Sequence, residues 1–218
     1  MLTSLLGMFG GTFDPIHNAH LRAALDVVEA GGLERLHLIP CHVPPHRGDP
    51  DVTASQRLAM LERAAAGEPR FRVDDRELRR DGPSYTVDTL RSLHADAPEA
   101  HLLLVVGTDS FLSLPHWHRW RELGEWAHLV VMERPDAGED MPDALARWLQ
   151  GRRAETWAEL REMPAGRVLF QPVTAMAVSA TDIRERLRSG RSPRYLLPDP
   201  VWDYIRDNGL YGAGQQAG

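Results

Sequence analysis

Gly10-Gly11-Thr12-Phe13-Asp14-Pro15-Ile16-His17-Asn18-Ala19-His20 follows directly on an apolar stretch at residues 5–9. An apolar strand, a glycine turn and a helix start, in that order, bring backbone N–H groups close to a phosphate. His17 and His20 stand three residues apart at the start of the predicted helix and so share a face. Backbone donors and two imidazoles then converge on one anionic group. The alternative is a plain tight turn with two surface histidines, or half of a metal site; two ligands do not make a zinc centre. Other phosphate signatures fail. Gly7, Gly10 and Gly11 do not spell G-x-G-x-x-G, and a P-loop needs a lysine, whereas all 25 basic residues here are arginine. The same absence excludes lysine Schiff-base chemistry.

Outward from this stretch, apolar runs bounded by turn residues recur at 36–40, 101–106, 127–132 and 168–170, as expected of strands buried on both faces. Helical patterns fall between them at 19–30, 53–66, 86–94 and 117–123. Thr53 and Gln56 form a capping box at the start of the second. Strand alternating with helix predicts an α/β fold, a doubly wound parallel sheet with right-handed crossovers. Residues 136–164, charged and bearing Trp148 and Trp157, read as a mostly helical excursion from that sheet. Helices at 181–189 and 200–207 complete a small C-terminal helical part, the second stopped by Asn208-Gly209. Residues 1–211 are expected to form a single domain and 212–218 a disordered tail.

Composition narrows the function. A formal charge of −6 argues against a nucleic-acid polymer as partner, which demands a basic footprint. A small anionic substrate is compatible, because arginines and helix N-termini set the field within one cleft. The single cysteine, Cys41, excludes an intramolecular disulfide and a multi-cysteine metal site, and reads as an apolar filler. No stretch approaches the roughly 20 apolar residues that span a bilayer, and the N-terminus lacks a signal-peptide pattern. A soluble, cytoplasmic protein is expected.

In open parallel sheets the ligand lies beyond the carboxyl ends of the strands. Every motif here falls at such an end. Pro44-Pro45-His46-Arg47 follows the second run, and His46 and Arg47 read as a mobile cationic flank, or else as an ordinary exposed loop. Gly107-Thr108-Asp109-Ser110 ends the strand at 101–106, with Asp109 able to accept from ribose hydroxyls or to cap a helix. Ser179-Ala180-Thr181-Asp182-Ile183-Arg184 opens a helix, with Ser179 as N-cap and Arg184 one turn in, a fork suited to phosphate. Ser84-Tyr85-Thr86 opens another, whose N–H groups suit a carboxylate, and Trp117 downstream suits stacking on a cationic ring. Read alone, Tyr85 and Trp117 are as well explained as core or rim aromatics.

The run from Gly10 to His20 resembles G-G-T-F-D-P-x-H-x-G-H, the signature of the T/H-x-G-H nucleotidyltransferases, with Ala19 in place of the usual glycine. One methyl there slightly narrows the space beside the triphosphate. Ser179, Thr181 and Arg184 match that class's second signature, S-x-T-x-x-R. With P-P-H-[KR], S-Y-T and G-x-D-S in order, the chain is similar to the nicotinate-nucleotide adenylyltransferases from Gly10 to Tyr211, including Leu197-Pro198-Asp199-Pro200-Val201. The resemblance implies a Rossmann-like nucleotidyltransferase fold and adenylyl transfer from ATP to nicotinate mononucleotide, giving deamido-NAD and pyrophosphate in NAD biosynthesis. It implies ATP contacts by Gly10, Gly11, Thr12, Phe13, His17, His20, Gly107, Asp109, Ser179, Thr181 and Arg184. His17, His20 and Arg184 would be catalytic. The nicotinate nucleotide would be held by His46, Arg47, Ser84, Tyr85, Thr86 and Trp117. Magnesium would arrive with ATP, without a dedicated carboxylate cage. Two rivals stay open: a different acceptor such as nicotinamide mononucleotide or phosphopantetheine, and a nucleotide-binding module without chemistry. A monomer or a small homo-oligomer is equally compatible with the sequence.

Overall fold

The computed structural model describes residues 4–42, 50–133 and 141–213. Among these, β1 (Leu5–Gly11), α1 (Asn18–Gly31), β2 (Arg35–Pro40), α2 (Ala54–Ala65) and β3 (Phe71–Val73) form the first half. After α3 (Thr86–Asp96), the chain continues through β4 (His101–Gly107), α4 (Thr108–Leu112), α5 (Leu123–Trp126) and β5 (His128–Glu133). Then come α6 (Asp143–Leu149), β6 (Arg153–Ala154), β7 (Val168–Pro172), α7 (Ala180–Arg188) and α8 (Asp199–Asp207). The strands form one seven-stranded sheet in the order β3-β2-β1-β4-β5-β7-β6, every pair parallel. The direction of winding reverses between β1 and β4. That reversal opens a crevice at their carboxyl ends, where Gly10–His20 and Gly107–Asp109 emerge.

Alternation along the strands sorts the core into two layers. Leu5 and Phe9 of β1, with Leu36, Leu38, Leu103 and Val105, face α1, α2, α7 and α8. Met8, Ile39, Leu102, Leu104 and Val106 face the opposite layer, with Val87 and Leu90 of α3 and Leu145 of α6. The capping box of α2 is present: Gln56 N–H donates to Thr53 Oγ1 (3.2 Å), and Thr53 N–H donates to Gln56 Oε1 (2.9 Å).

Several expectations change. Gly10 and Gly11 are not a turn but the last two residues of β1, in register with Ile39 and Pro40. Residues 117–123 are not one helix. Short 3-10 turns at Leu114–His116 and Trp120–Glu122 flank an Arg119 in the left-handed region (φ 53°), followed by α5. The segment at 141–164 is only partly helical, because β6 adds a parallel edge to β7 and a 3-10 turn covers Glu159–Arg161. Its two tryptophans explain it as packing. Trp157 closes over the end of α1, so near that a Cβ on Gly31 would meet its ring at 2.5 Å, and its Nε1 donates to Gln171 Oε1 (2.8 Å). Trp148 sits against Gly124 in the same way. Residues 136–140 and 214–218 of the expected excursion and tail lie outside the described residues. No helix of the described residues is long and apolar enough to cross a membrane.

At the opposite end of the sheet from the crevice, His101 and His128 open β4 and β5 and hold this segment in place. His128 is fully buried; its Nδ1 accepts from Arg167 N–H (3.0 Å), which leaves Nε2 as the donor to Met163 O (2.8 Å). Burial, reinforced by the nearby His101, pulls its pKa down to about 4 from 6.5. Between those values the unfolded chain takes up a proton that the fold refuses. Stability is therefore fully present above about pH 6.5 and declines as pH falls toward 4, by about 3 kcal/mol. Urea midpoints across this window should fall with acid in the native chain and should vary less in His128→Leu, which has nothing there to protonate.

Candidate active site

The turn from Thr12 to His17 is held from four sides. Phe13 adopts a left-handed backbone (φ 48°) and is 3 % exposed, its ring edge-on to Phe9 (5.6 Å between centroids) and to His20 (5.4 Å). Gly11 lets the Phe13 ring pack closely, since a Cβ there would meet it at 3.1 Å. Asp14 is buried. Its Oδ1 accepts from Tyr211 O–H (2.7 Å), its Oδ2 from Asp51 N–H (2.9 Å), and its carbonyl from Arg184 Nη1 (2.7 Å). Burial first, then the bond to Asp14, raises the Tyr211 hydroxyl pKa, so this residue stays a neutral donor.

His17 is the N-cap of α1, and its ring stacks on that of His20, 3.6 Å between centroids and 20° between planes. The shared face expected from their spacing is present. The chain also crosses this helix start from outside: Leu196 O accepts from Asn18 N–H (3.0 Å) and Tyr195 O from Asn18 Nδ2 (2.9 Å). Tyr195 and Tyr211, like Phe13, have positive φ (68° and 55°). Three of the four non-glycine residues in that region among the described residues thus surround one turn. Each costs on the order of 1 kcal/mol, and such strain collects at functional sites. Ala19 is buried in the first turn.

On the same face of the sheet as α1, α7 reaches this turn through Arg184. Ser179 is the N-cap, its Oγ accepting from Asp182 N–H (3.1 Å), and Thr181 is exposed in the first turn. Arg184 reaches Asp14 O and forms an ion pair with Asp51 (Nε to Oδ2 2.6 Å), which also pairs with Arg188 (2.8 Å). At the end of β4, Gly107 rather than Asp109 is the N-cap of α4, and Asp109 is exposed in its first turn. A side chain at Gly107 would meet nothing within 4 Å, so the space before it is open.

The second group lies beyond β2. Tyr85 is the N-cap of α3, with Thr86 its first residue, as the sequence predicts. Ser84 Oγ accepts from His42 N–H (2.9 Å), tying α3 to the end of β2. Trp117, like Tyr85, is half-buried against the second core layer, its Nε1 donating to Ser113 Oγ (3.2 Å). The Tyr85 ring stacks on exposed His118, 4.1 Å between centroids. Among the described residues the side chain of Asp88 makes a loose contact along the helix, 3.9 Å to Arg91. His46 and Arg47 lie outside the described residues.

Sequence reasoning missed Asp51, Arg57, His118 and Tyr211. Arg57 left a trace: it shares the buried face of α2 with Met60 and Leu61, where a cation is out of place. The others gave none, since their partners are distant in sequence.

With the crevice assembled, the comparisons are informative. Residues 8–186 match the model of the cytidylyltransferase-like family. A protein of Halorhodospira halophila named "Probable nicotinate-nucleotide adenylyltransferase" is 52 % identical over 210 residues, 96 % of either chain. This chain belongs to the nicotinate-nucleotide adenylyltransferase family. A relative of the same name from Aeromonas salmonicida is 48 % identical over 98 % of this chain and 100 % of its own. The adenylyltransferase fold is also that of the Plasmodium falciparum nicotinic acid mononucleotide adenylyltransferase complexed with NaAD. That structure has a TM-score of 0.73 and 15 % identity, covering 98 % of this chain and 100 % of its own.

Proposed function

We propose that this enzyme transfers the adenylyl group of ATP to nicotinate mononucleotide, forming deamido-NAD and pyrophosphate in NAD biosynthesis. The stacked His17–His20 pair at the β1/β4 switch point carries the reading, because two imidazoles together at the α1 start suit a phosphate chain. A 5′-phosphate oxygen of the acceptor attacks the α-phosphorus; the bond from α-phosphorus to the bridging oxygen breaks, and pyrophosphate leaves with that electron pair. A phosphate monoester is already an anion at neutral pH, so no general base is needed. Catalysis is then positioning and charge stabilisation. His20 stabilises charge developing at the α-phosphate, and His17 steadies the triphosphate beside it. Arg184 and the start of α7 hold the departing pyrophosphate, while Gly10, Gly11, Thr12, Phe13, Gly107 and Asp109 border the ATP. The start of α3 and Trp117 take the nicotinate carboxylate and ring. ATP enters as its magnesium complex. The ion would be carried largely by phosphate oxygens and water.

Incubation with Mg-ATP and nicotinate mononucleotide should release pyrophosphate and deamido-NAD in equal amounts. Pyrophosphate without the dinucleotide, or ATP binding without either product, would overturn the proposal.

A further inference from the structure

Arg57 is 1 % exposed, inside the core face of α2, yet among the described residues no carboxylate lies within ion-pair distance of it. Its Nη1 donates to Thr12 O (2.8 Å) and its Nη2 to His42 O (3.3 Å), while Nε has no hydrogen-bond partner. Burying a guanidinium is costly, and two carbonyls with the neighbouring Cys41 thiol offset only part of the cost. An apolar side chain of similar volume would suit stability better. The geometry gives another reason for the arginine. Thr12 opens the turn that leads to His17 and His20, whereas His42 N–H is bonded to Ser84 Oγ (2.9 Å) and His42 Nδ1 lies 3.1 Å from Arg80 O. Ser84 immediately precedes Tyr85, the N-cap of α3. A single buried cation thus grips the two loops that would hold the two substrates.

We infer that Arg57 is a positioning residue for the adenylyl transfer, fixing the spacing between the triphosphate turn and the acceptor's helix start. The inference rests on the reading of the reaction given above. In-line attack requires the reacting atoms to lie about 3–3.5 Å apart, and a misplacement of about 1 Å costs roughly 100-fold in rate. The β1–β2 pairing ends with Cys41 N–H donating to Gly11 O (3.0 Å), and Arg57 carries the tie one residue further, across Thr12 and His42, where the two loops part. Only a planar fork serves two carbonyls at once; a lysine ammonium, a point donor on a flexible stem, serves them poorly.

The test separates rate from binding. In Arg57→Met, kcat with both substrates saturating should fall roughly 100-fold, while the Kd of each nucleotide alone, by calorimetry, shifts less than about 3-fold. Arg57→Lys should recover part of the loss, to within roughly 10-fold of the native rate. A loss confined to thermal stability, with kcat per folded molecule unchanged, would overturn the inference, as would a loss lying wholly in the Kd for ATP. Should Arg57→Met fail to fold, Arg57→Gln, whose shorter amide cannot serve both carbonyls, cuts the same tie. It should lower kcat more than it weakens the binding of ATP alone, and an unchanged kcat there would overturn the inference. If the native chain forms no deamido-NAD from ATP and nicotinate mononucleotide, the reading of the reaction falls, and this inference with it.

Discussion

His20→Ala should lower kcat by about 100- to 1,000-fold, the usual effect of removing one donor from a developing charge. The argument begins with the ring's surroundings. Stacking on His17, an edge contact with Phe13 and a tilted contact with Phe9 fix the imidazole before any substrate arrives. A donor already in place needs no reorganisation during the reaction, which is why its removal acts on the rate. Binding of ATP in the ground state rests on many other contacts, so its Kd should change far less than kcat. Steady-state kinetics beside equilibrium titration with ATP checks this split. A fall confined to ATP affinity would assign His20 to binding alone, and no fall would remove it from the chemistry. A nucleotide-binding module would have no turnover to lose.

The second large effect is expected from Arg184→Met, about 100-fold in kcat/KM for ATP, with inhibition by pyrophosphate weakened in the same variant. In the structure this guanidinium is bonded to Asp14 O and paired with Asp51, so it also braces the turn that leads to the histidines. The two duties are separable. A brace alone would lower the thermal midpoint and leave the pyrophosphate inhibition constant unchanged, whereas a ligand for the leaving group would raise that constant at least about 10-fold. On this account the triphosphate competes with Asp51 for the arginine. Asp51→Asn keeps the backbone N–H that donates to Asp14 and removes the charge that pairs with Arg184 and Arg188.

Much of this was legible in the sequence because the signals are local. Continuous apolar runs marked the central strands, since strands covered on both faces leave no polar alternation to confuse the reading. The capping roles of Thr53 and Ser179 and the shared face of His17 and His20 follow from spacings of three residues. What escaped has non-local or very small causes. β3 and β6 have three and two residues, too few for a periodic pattern, and exist only because a neighbouring strand offers its edge. The glycine pair belongs to β1 because β2 supplies partners as far as Pro40, which residues 10 and 11 cannot announce. Tyr211 meets Asp14 across 197 residues, and Arg57 meets Thr12 across 45. Such contacts are products of the topology that the local signals only imply.

On the proposed reading, the start of α3 with Tyr85 and Trp117 selects a nicotinate nucleotide for adenylation. The most direct test of this selection is kcat/KM for pyrophosphate release from Mg-ATP with nicotinate mononucleotide and nicotinamide mononucleotide in parallel. A helix start offers N–H donors to a carboxylate and no acceptor for an amide NH₂, so the nicotinate form should be favoured by at least about 100-fold. Equal rates for the two would contradict that account of selection, and would point to Asp88 as an acceptor for the amide.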